Sequence, residues 1–593
     1  MARVRPVATD RHEGRTKGRF SNTPARILGV FRRGRGENRV IPTNRRVKEE
    51  WIIPPGLEAG ATPGEIVLAE LLPRHRRYGP RPAKIIERLG KMGDARSVSL
   101  IAIHTHDIPV DFPAEAEKEA DRAGPVELGH RTDLRNIPLV TIDGEDARDF
   151  DDAVFAEPAG DGFRLIIAIA DVAYYVRPGS ALDQVARLRG NSVYFPDRVL
   201  PMLPETLSNG WCSLNPGEDR GCLFVEVQID AAGNKTKHRF GRGIMRSAAR
   251  LTYTDLQRAY DAGRDLDPKL KALYDAFRLL LLARNARGTL ELDLPERQIV
   301  LDRHGRVDRV APRPRLDSHR LIEEFMILAN IAAAEELERR HQPCVYRVHA
   351  PPSAEKLAAL RGFLHMLGIS LPRDDQISPR NLDRVLRRVH GTAEATLVNE
   401  LILRTQSQAA YSTDNIGHFG LALPRYVHFT SPIRRYADLV VHRALIRGLQ
   451  LGAGGLAVDE GMRFPDLAVH ITATERRAQL AERDATDRYI AAYMSDKIGA
   501  HFIARISGVT RFALFVASTE IGASGIVPIS TLPDDYWEYD QRRQALSGRH
   551  TRMVFNLAQV VQVRLAEASP VTGGLVFHVL QRMPESGKRS RPR

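Results

Sequence analysis

Cysteine is scarce in this chain: three residues, Cys212, Cys222 and Cys344, among 593, with no C-x-x-C spacing. That argues against a disulfide framework and a cysteine-ligated zinc site, and it suits a reducing, cytoplasmic setting. Long apolar runs are missing too. The longest, such as LIIAIADVAYYV, end well before the ~18 residues that cross a bilayer. No secretory apolar stretch follows the start, so neither export nor a membrane span is expected. Nor do acids balance bases: 87 Lys and Arg face 73 Asp and Glu, for a net charge of +14. The excess sits at the ends, +9 over residues 1–50 and +4 over residues 581–593, which leaves the body nearly neutral. Basic arms on a neutral body suit a polyanionic partner, with solubilising tails as the competing reading.

What the chain does have is a crowd of acids. Asp143, Asp149, Asp151 and Asp152 fall within ten residues, in TIDGEDARDFDD. Like charges that close raise one another's pKa, so a bare cluster would partly neutralise itself. A divalent cation relieves the conflict. Hard ions such as Mg²⁺ take one or two carboxylates, with water and substrate phosphate completing the shell. Two ions ~4 Å apart can clamp both oxygens of a phosphodiester displacement. Residues 137–142 read as a strand ending at Asp143, GEDARDF as a loop, and DAVFAE and FRLIIAIADV as the next strands. The acids therefore sit at the mouth of a sheet, on a loop between apolar strands. That placement favours metal-assisted phosphoryl chemistry over a solvated acidic loop. An EF-hand fails on spacing, and Asp146 reads as solvated.

Length predicts three or four domains. Residues 1–22 read as a disordered basic arm. From Arg26, five short strands separated by turn signals predict a small OB-type barrel and a linker within 23–112, the link running over 91–130 with a short acidic helix. A core helix is predicted over 318–340. A second is predicted over 431–450, with Thr430-Ser431-Pro432 as its N-terminal signal. A long charged helix follows over 466–497. Strands return over 498–582, before a basic tail at 583–593.

The segments VTIDGEDARDFDDAV, IAIADVAYYVRPGSALD, RGNSVYFPDRVLPMLPETLSNGWCSLNP, LIEEFMILANIAAA and HFGLALPRYVHFTSPIRRYADLVVHRAL come in that order. Together they resemble the RNB catalytic domain of the ribonuclease II and ribonuclease R exoribonucleases, over about residues 131–495. The motifs look closer to ribonuclease R. The resemblance implies a multidomain α+β fold, with an RNB α/β catalytic domain at 113–497. The barrel before it is similar to the second of the family's two cold-shock domains, and only one fits before residue 100. The strands after 498 resemble an OB-fold domain of the S1 type, although Ala513 and Ala558-Gln559 replace its usual glycine and Gly-Asp.

What the resemblance implies for the site is specific. Asp143, Asp149 and Asp152 are expected to ligate one or two Mg²⁺ ions. Asp151 is the carboxylate without which chemistry fails, as a metal ligand or as the orienter of the attacking water. Arg434 takes the place of the catalytic arginine, with an Arg434–Asp438 helix pair as the bland alternative. Its position after Pro432 predicts a first-turn site where free N–H groups also favour an anion. Tyr194 corresponds to the aromatic that stacks on the last base, Glu482 to a glutamate near the terminal nucleotide, and Leu292 to the partner aromatic. Arg435 is expected to be structural or to contact a phosphate. Phe512 and Phe515 lie where the S1 type stacks bases, one of them being expected in the barrel core. His428 and His442 read as packing.

These expectations describe a monomeric, processive hydrolytic exoribonuclease. Single-stranded RNA would enter 3′ end first and leave as 5′-mononucleotides and a short oligonucleotide. The alternatives are an RNB-fold RNA-binding regulator without hydrolysis, and an endonuclease or DNA nuclease with a similar acidic site.

Overall fold

The computed structural model describes residues 26–583, apart from 35–36, 44–48, 74–78, 92–94, 264–265, 295, 373–376, 393 and 542–543. The arm expected over 1–22 and nearly all of the tail expected over 583–593 lie outside the described residues. The chain divides into two compact units, Met1–Ser97 and Val98–Arg593.

In the first unit, strands Arg26–Arg32, Asn38–Pro42, Trp51–Ile53, Glu65–Leu71 and Arg81–Lys91 close into a barrel. The alternation in these segments puts Phe31, Val40, Ile53, Val67 and Ile85 inward, all buried. Closure leaves no sheet edge for another chain to pair with.

The second unit is built on a seven-stranded sheet. Its strands run in the order Ala249–Thr252, Val140–Asp143, Asp152–Ala159, Gly162–Ala170, Asp219–Ile229, Lys235–Arg246 and Thr132–Asp133. Leu165 to Ala170 are buried without a break, as expected of a central strand covered on both faces. Helices Pro268–Arg287 and Asp317–Arg339 pack against this sheet, and helix Tyr436–Gly448 packs on Asp317–Arg339. Helix Phe464–Ser495 reaches from strand Val193–Tyr194 to a second closed barrel. That barrel is formed by His501–Val509, Ala513–Ser518, Ser524–Pro528, Val560–Ser569 and Gly574–Arg582.

Four features depart from the sequence reading. Residues Ala95–Thr105, expected to be part of a link, form a helix. Helices Ala354–Met366, Pro379–Val389 and Ala395–Thr405 form an insert with its own core of Leu357, Leu360, Leu364, Leu382, Val398 and Ile402. The C-terminal barrel also carries a three-stranded sheet of Trp537–Asp540, Ala545–Gly548 and Val554–Asn556.

The helix expected over 431–450 starts only at Tyr436. Arg435 is extended, with φ −135° and ψ 123°, and bridges to Asn191. Arg434 therefore lies in a turn ahead of the helix, so first-turn N–H groups do not form the anion site expected around it.

Candidate active site

Strand pairing brings the acids together. Val140–Asp143 runs parallel to Ala249–Thr252, with Thr252 opposite Asp143, and antiparallel to Asp152–Ala159. Asp143 ends one strand and Asp152 begins the next, so the loop between them is short. Ser213 fixes this loop by accepting the Phe150 N–H through Oγ at 2.9 Å and donating to the Arg148 carbonyl at 2.9 Å. The Arg250 Nη2 donates to the carbonyls of Gly144 at 3.2 Å and Glu145 at 2.6 Å. These ties use main-chain atoms and leave all four carboxylates of the cluster untouched.

The carboxyls sit in a poorly hydrated place. Asp151 is 5% exposed. Its Oδ1 accepts the Ile433 N–H at 2.9 Å, whereas Oδ2 is buried with no hydrogen-bond partner. The Oδ2 of Asp152 is likewise buried and unpartnered. Burial pushes the Asp152 carboxyl up to about 7, with the Asp143 charge adding to the rise and Arg434 opposing it. Burial also pushes Asp151 well above the carboxylate range, against the pull of Arg434 and the Ile433 N–H. Asp143 and Asp149 are raised by burial too, although the Gly144 N–H and Arg434 hold Asp143 back. All four thus resist full ionisation unless positive charge is supplied.

An all-carboxylate donor set with two orphaned buried oxygens fits a hard divalent cation such as Mg²⁺. Among the described residues, no three acid, histidine or cysteine side chains converge into one closed ligand group. One or two carboxylates per ion, with positions left for water and phosphate, is the arrangement this spacing allows.

Arg434 supplies the nearest cation. Its Nε lies 3.5 Å from Asp151 Oδ2, and its Nη2 donates to Ser431 Oγ at 3.1 Å. The bland alternative, a pair with Asp438, is not formed. Asp438 instead takes the fork of Arg435, Nε at 2.8 Å and Nη2 at 2.7 Å.

Beside Arg434 opens a cavity of about 230 Å³, lined among others by Asn191, Ser192, Tyr194, Arg435 and Glu482. Tyr194 is 40% exposed, which places its ring at the surface of the site rather than in the core. Its hydroxyl donates to Asp149 Oδ2 at 3.3 Å, and its N–H donates to Glu482 Oε1 at 2.8 Å. Glu482 is thus engaged and partly buried, not solvated. His442 is fully buried and donates Nε2–H to the Phe429 carbonyl at 2.7 Å, and His428 Nδ1 lies 2.8 Å from the Tyr411 hydroxyl.

One other expectation changes. Neither phenylalanine of the C-terminal barrel is in its core: Phe512 is 66% exposed and Phe515 is 42% exposed. The inward positions of their strand are taken by Leu514 and Val516. Arg511 lies over the Phe512 ring, 4.5 Å from its centroid. Leu292 packs against the helical insert.

Sequence reasoning missed Arg250 and Ser213, since neither stands in a pattern that marks a loop tie, and it offered Asp438 as a partner for Arg434, where the structure pairs it with Arg435. It also missed Tyr253, whose hydroxyl is pushed up by burial and by the charges of Asp143 and Asp152, and whose ring stacks on His319.

Comparison with known proteins is consistent with this geometry. A family model described as the RNB domain matches residues 131–450, and one described as a cold shock domain matches residues 40–113. Ribonuclease R of Vibrio cholerae is 40% identical over 589 residues, covering 95% of this chain and 71% of that protein. Ribonuclease R of Escherichia coli K12 is 39% identical over 587 residues, 95% of this chain and 72% of its own length. Mycoplasma genitalium RNase R, solved with ribose-methylated single-stranded RNA, superposes with a TM-score of 0.88 at 26% identity, covering 94% of this chain and 89% of that one. Yeast Ssd1, a pseudonuclease, superposes with a TM-score of 0.68 at 18% identity, a likeness of fold alone, over 89% of this chain and 68% of that one.

Proposed function

The chain belongs to the ribonuclease R family of RNB-domain proteins, and from that premise we propose a processive hydrolytic 3′→5′ exoribonuclease acting on single-stranded RNA. Its products are 5′-mononucleotides and a short terminal oligonucleotide. The observation that carries the reading is the unpartnered Oδ2 of Asp151, buried 3.5 Å from Arg434 beside the Tyr194 cavity.

Each residue has a task in that reaction. Asp143, Asp149 and Asp152 are the oxygen donors for one or two Mg²⁺ ions. Such ions, when bound, supply an activated water and positive charge at the phosphate. Asp151 keeps Oδ2 free for the reacting groups, because Oδ1 is tied to the Ile433 N–H. Arg434 meets the non-bridging phosphate oxygens and offsets charge gained in the transition state. Tyr194 stacks on the terminal base and so sets where the scissile bond lies. Glu482 holds the Tyr194 main chain. Arg435 is structural through Asp438. Phe512 and Phe515 offer rings to the incoming strand, whatever its sequence. The working limits of the catalytic domain are residues 113–497, and the enzyme acts as a cytoplasmic monomer.

The alternative, an inactive regulator on the same fold, calls for loss of an acid or of the arginine. Asp143, Asp149, Asp151, Asp152 and Arg434 are all in place. The test is incubation of end-labelled linear RNA, circular RNA and single-stranded DNA with Mg²⁺ or with EDTA. Mononucleotides from linear RNA alone, only with Mg²⁺ and not from Asp151→Asn, are the expected result. Cleavage of the circle or of DNA points to the endonuclease reading, and RNA binding without products to the regulator.

A further inference from the structure

The turn that carries Arg434 is held by a residue outside the site. Asp438, in the first turn of helix Tyr436–Gly448, has no exposed surface. Its Oδ1 accepts the Ser431 N–H at 2.8 Å, and both of its oxygens take the fork of Arg435 at 2.7 and 2.8 Å. Ser431, fixed by this contact, presents Oγ to Arg434 Nη2 at 3.1 Å. Upstream, Phe429 is clamped on both sides: its N–H donates to Asn330 Oδ1 at 2.8 Å and its carbonyl accepts from His442. Downstream, the Arg434 carbonyl accepts the Ser192 N–H at 3.0 Å, and the Tyr436 N–H donates to the Gly190 carbonyl at 2.9 Å.

We propose that Asp438 and Ser431 are positioning residues that aim the Arg434 guanidinium, an inference that rests on Arg434 being the phosphate-contacting group. Asp438 has two effects. It locks Ser431 as the acceptor that sets the roll of the guanidinium, and with both oxygens it holds the adjacent Arg435 fork, which fixes the residue that follows Arg434. A carboxylate without exposed surface is too valuable a counter-charge to leave in the helix for packing alone, and here both its oxygens are directed back at the turn.

The test is a pair of double-mutant cycles on full-length enzyme, read as single-turnover hydrolysis of linear RNA with Mg²⁺ and as RNA affinity in EDTA. Asp438→Asn and Ser431→Ala are each expected to slow hydrolysis, by about 100-fold and about 5-fold, while affinity stays within about twofold. In an Arg434→Ala background, each is expected to cost less than a further twofold, because the group they aim is gone. Equal losses in both backgrounds, or a loss carried by affinity, overturn the proposal. Should Asp438→Asn fail to fold, the Ser431→Ala cycle decides alone. A wild-type rate for Arg434→Ala would instead overturn the assignment of Arg434 itself.

Discussion

Arg434 faces Asp151 across 3.5 Å, yet no hydrogen bond closes between Nε and the buried Oδ2. The pair is near enough for attraction, yet the guanidinium is not committed to Asp151 by a hydrogen bond. A lysine would keep the charge but lose the planar fork that grips two phosphate oxygens. Arg434→Lys is therefore expected to slow hydrolysis by ~10²-fold, with RNA affinity in EDTA little changed. Full activity in single-turnover assays would count against a bidentate contact.

Removing the cation should show in stability. The folded Asp152 carboxyl is raised from 3.8 to about 7. A raised folded value means that its contribution is present at low pH and is lost as pH rises from about 3.8 through about 7. In EDTA, the melting temperature of wild type should fall relative to Asp152→Asn across that window. Mg²⁺ should restore it most above pH 7. Parallel melting curves for the two proteins at every pH would show that burial does not raise the Asp152 carboxyl.

Tyr194 offers a ring and a hydroxyl that can be separated. Loss of stacking costs ~1–3 kcal/mol per base, so Tyr194→Ala should weaken binding of a short oligonucleotide by ~5- to 150-fold. Tyr194→Phe keeps the ring and gives up only the 3.3 Å contact to Asp149. Its affinity should match wild type within about twofold. Fluorescence anisotropy on an oligonucleotide of a few residues measures both, and equal weakening by the two variants would shift the role from ring to hydroxyl.

His442 sets a limit on the acid side. Burial lowers its folded pKa from 6.5 to about 4, while its hydrogen bond to Phe429 pulls the other way. The unfolded chain therefore takes up a proton that the folded one refuses, and stability is lost as pH falls from about 6.5 to about 4. The loss at full extent is about 3 kcal/mol. His442→Gln, which cannot titrate, should be the less stable protein at pH 7, and that gap should narrow or reverse by pH 4.5. Denaturant melts across this range provide the measure, and a pH-independent gap would show that His442 titrates in its ordinary range.

Much of this site was legible in the chain because its signals are local. Asp143 and Asp152 fall at strand ends fixed by runs such as LIIAIA, whose only stable place is inside a sheet. The start of the arginine-bearing helix was not legible. Thr430-Ser431-Pro432 has the composition of a helix start, but the Ser431 and Ile433 N–H groups are claimed by the side chains of Asp438 and Asp151. The chain turns there, and the helix begins at Tyr436. The partner of Asp438 was equally hidden, since i,i+3 and i,i+4 spacing both place an arginine within reach. The exposure of Phe512 and Phe515 escaped for a different reason. Alternation assigns Leu514 and Val516 to one face, but sequence alone does not say which face is the core. The insert of Ala354–Thr405 has an apolar core but no motif, so nothing marked it as a separate layer.

The grip of Arg250 on the carbonyls of Gly144 and Glu145 has a kinetic corollary. A loop whose main chain is held by Arg250 and Ser213 does not have to be rebuilt each time its ions depart. Metal can come and go between encounters with RNA at the pace of its own ligand exchange, and an enzyme stripped of its ions should regain full speed on refilling without a lag.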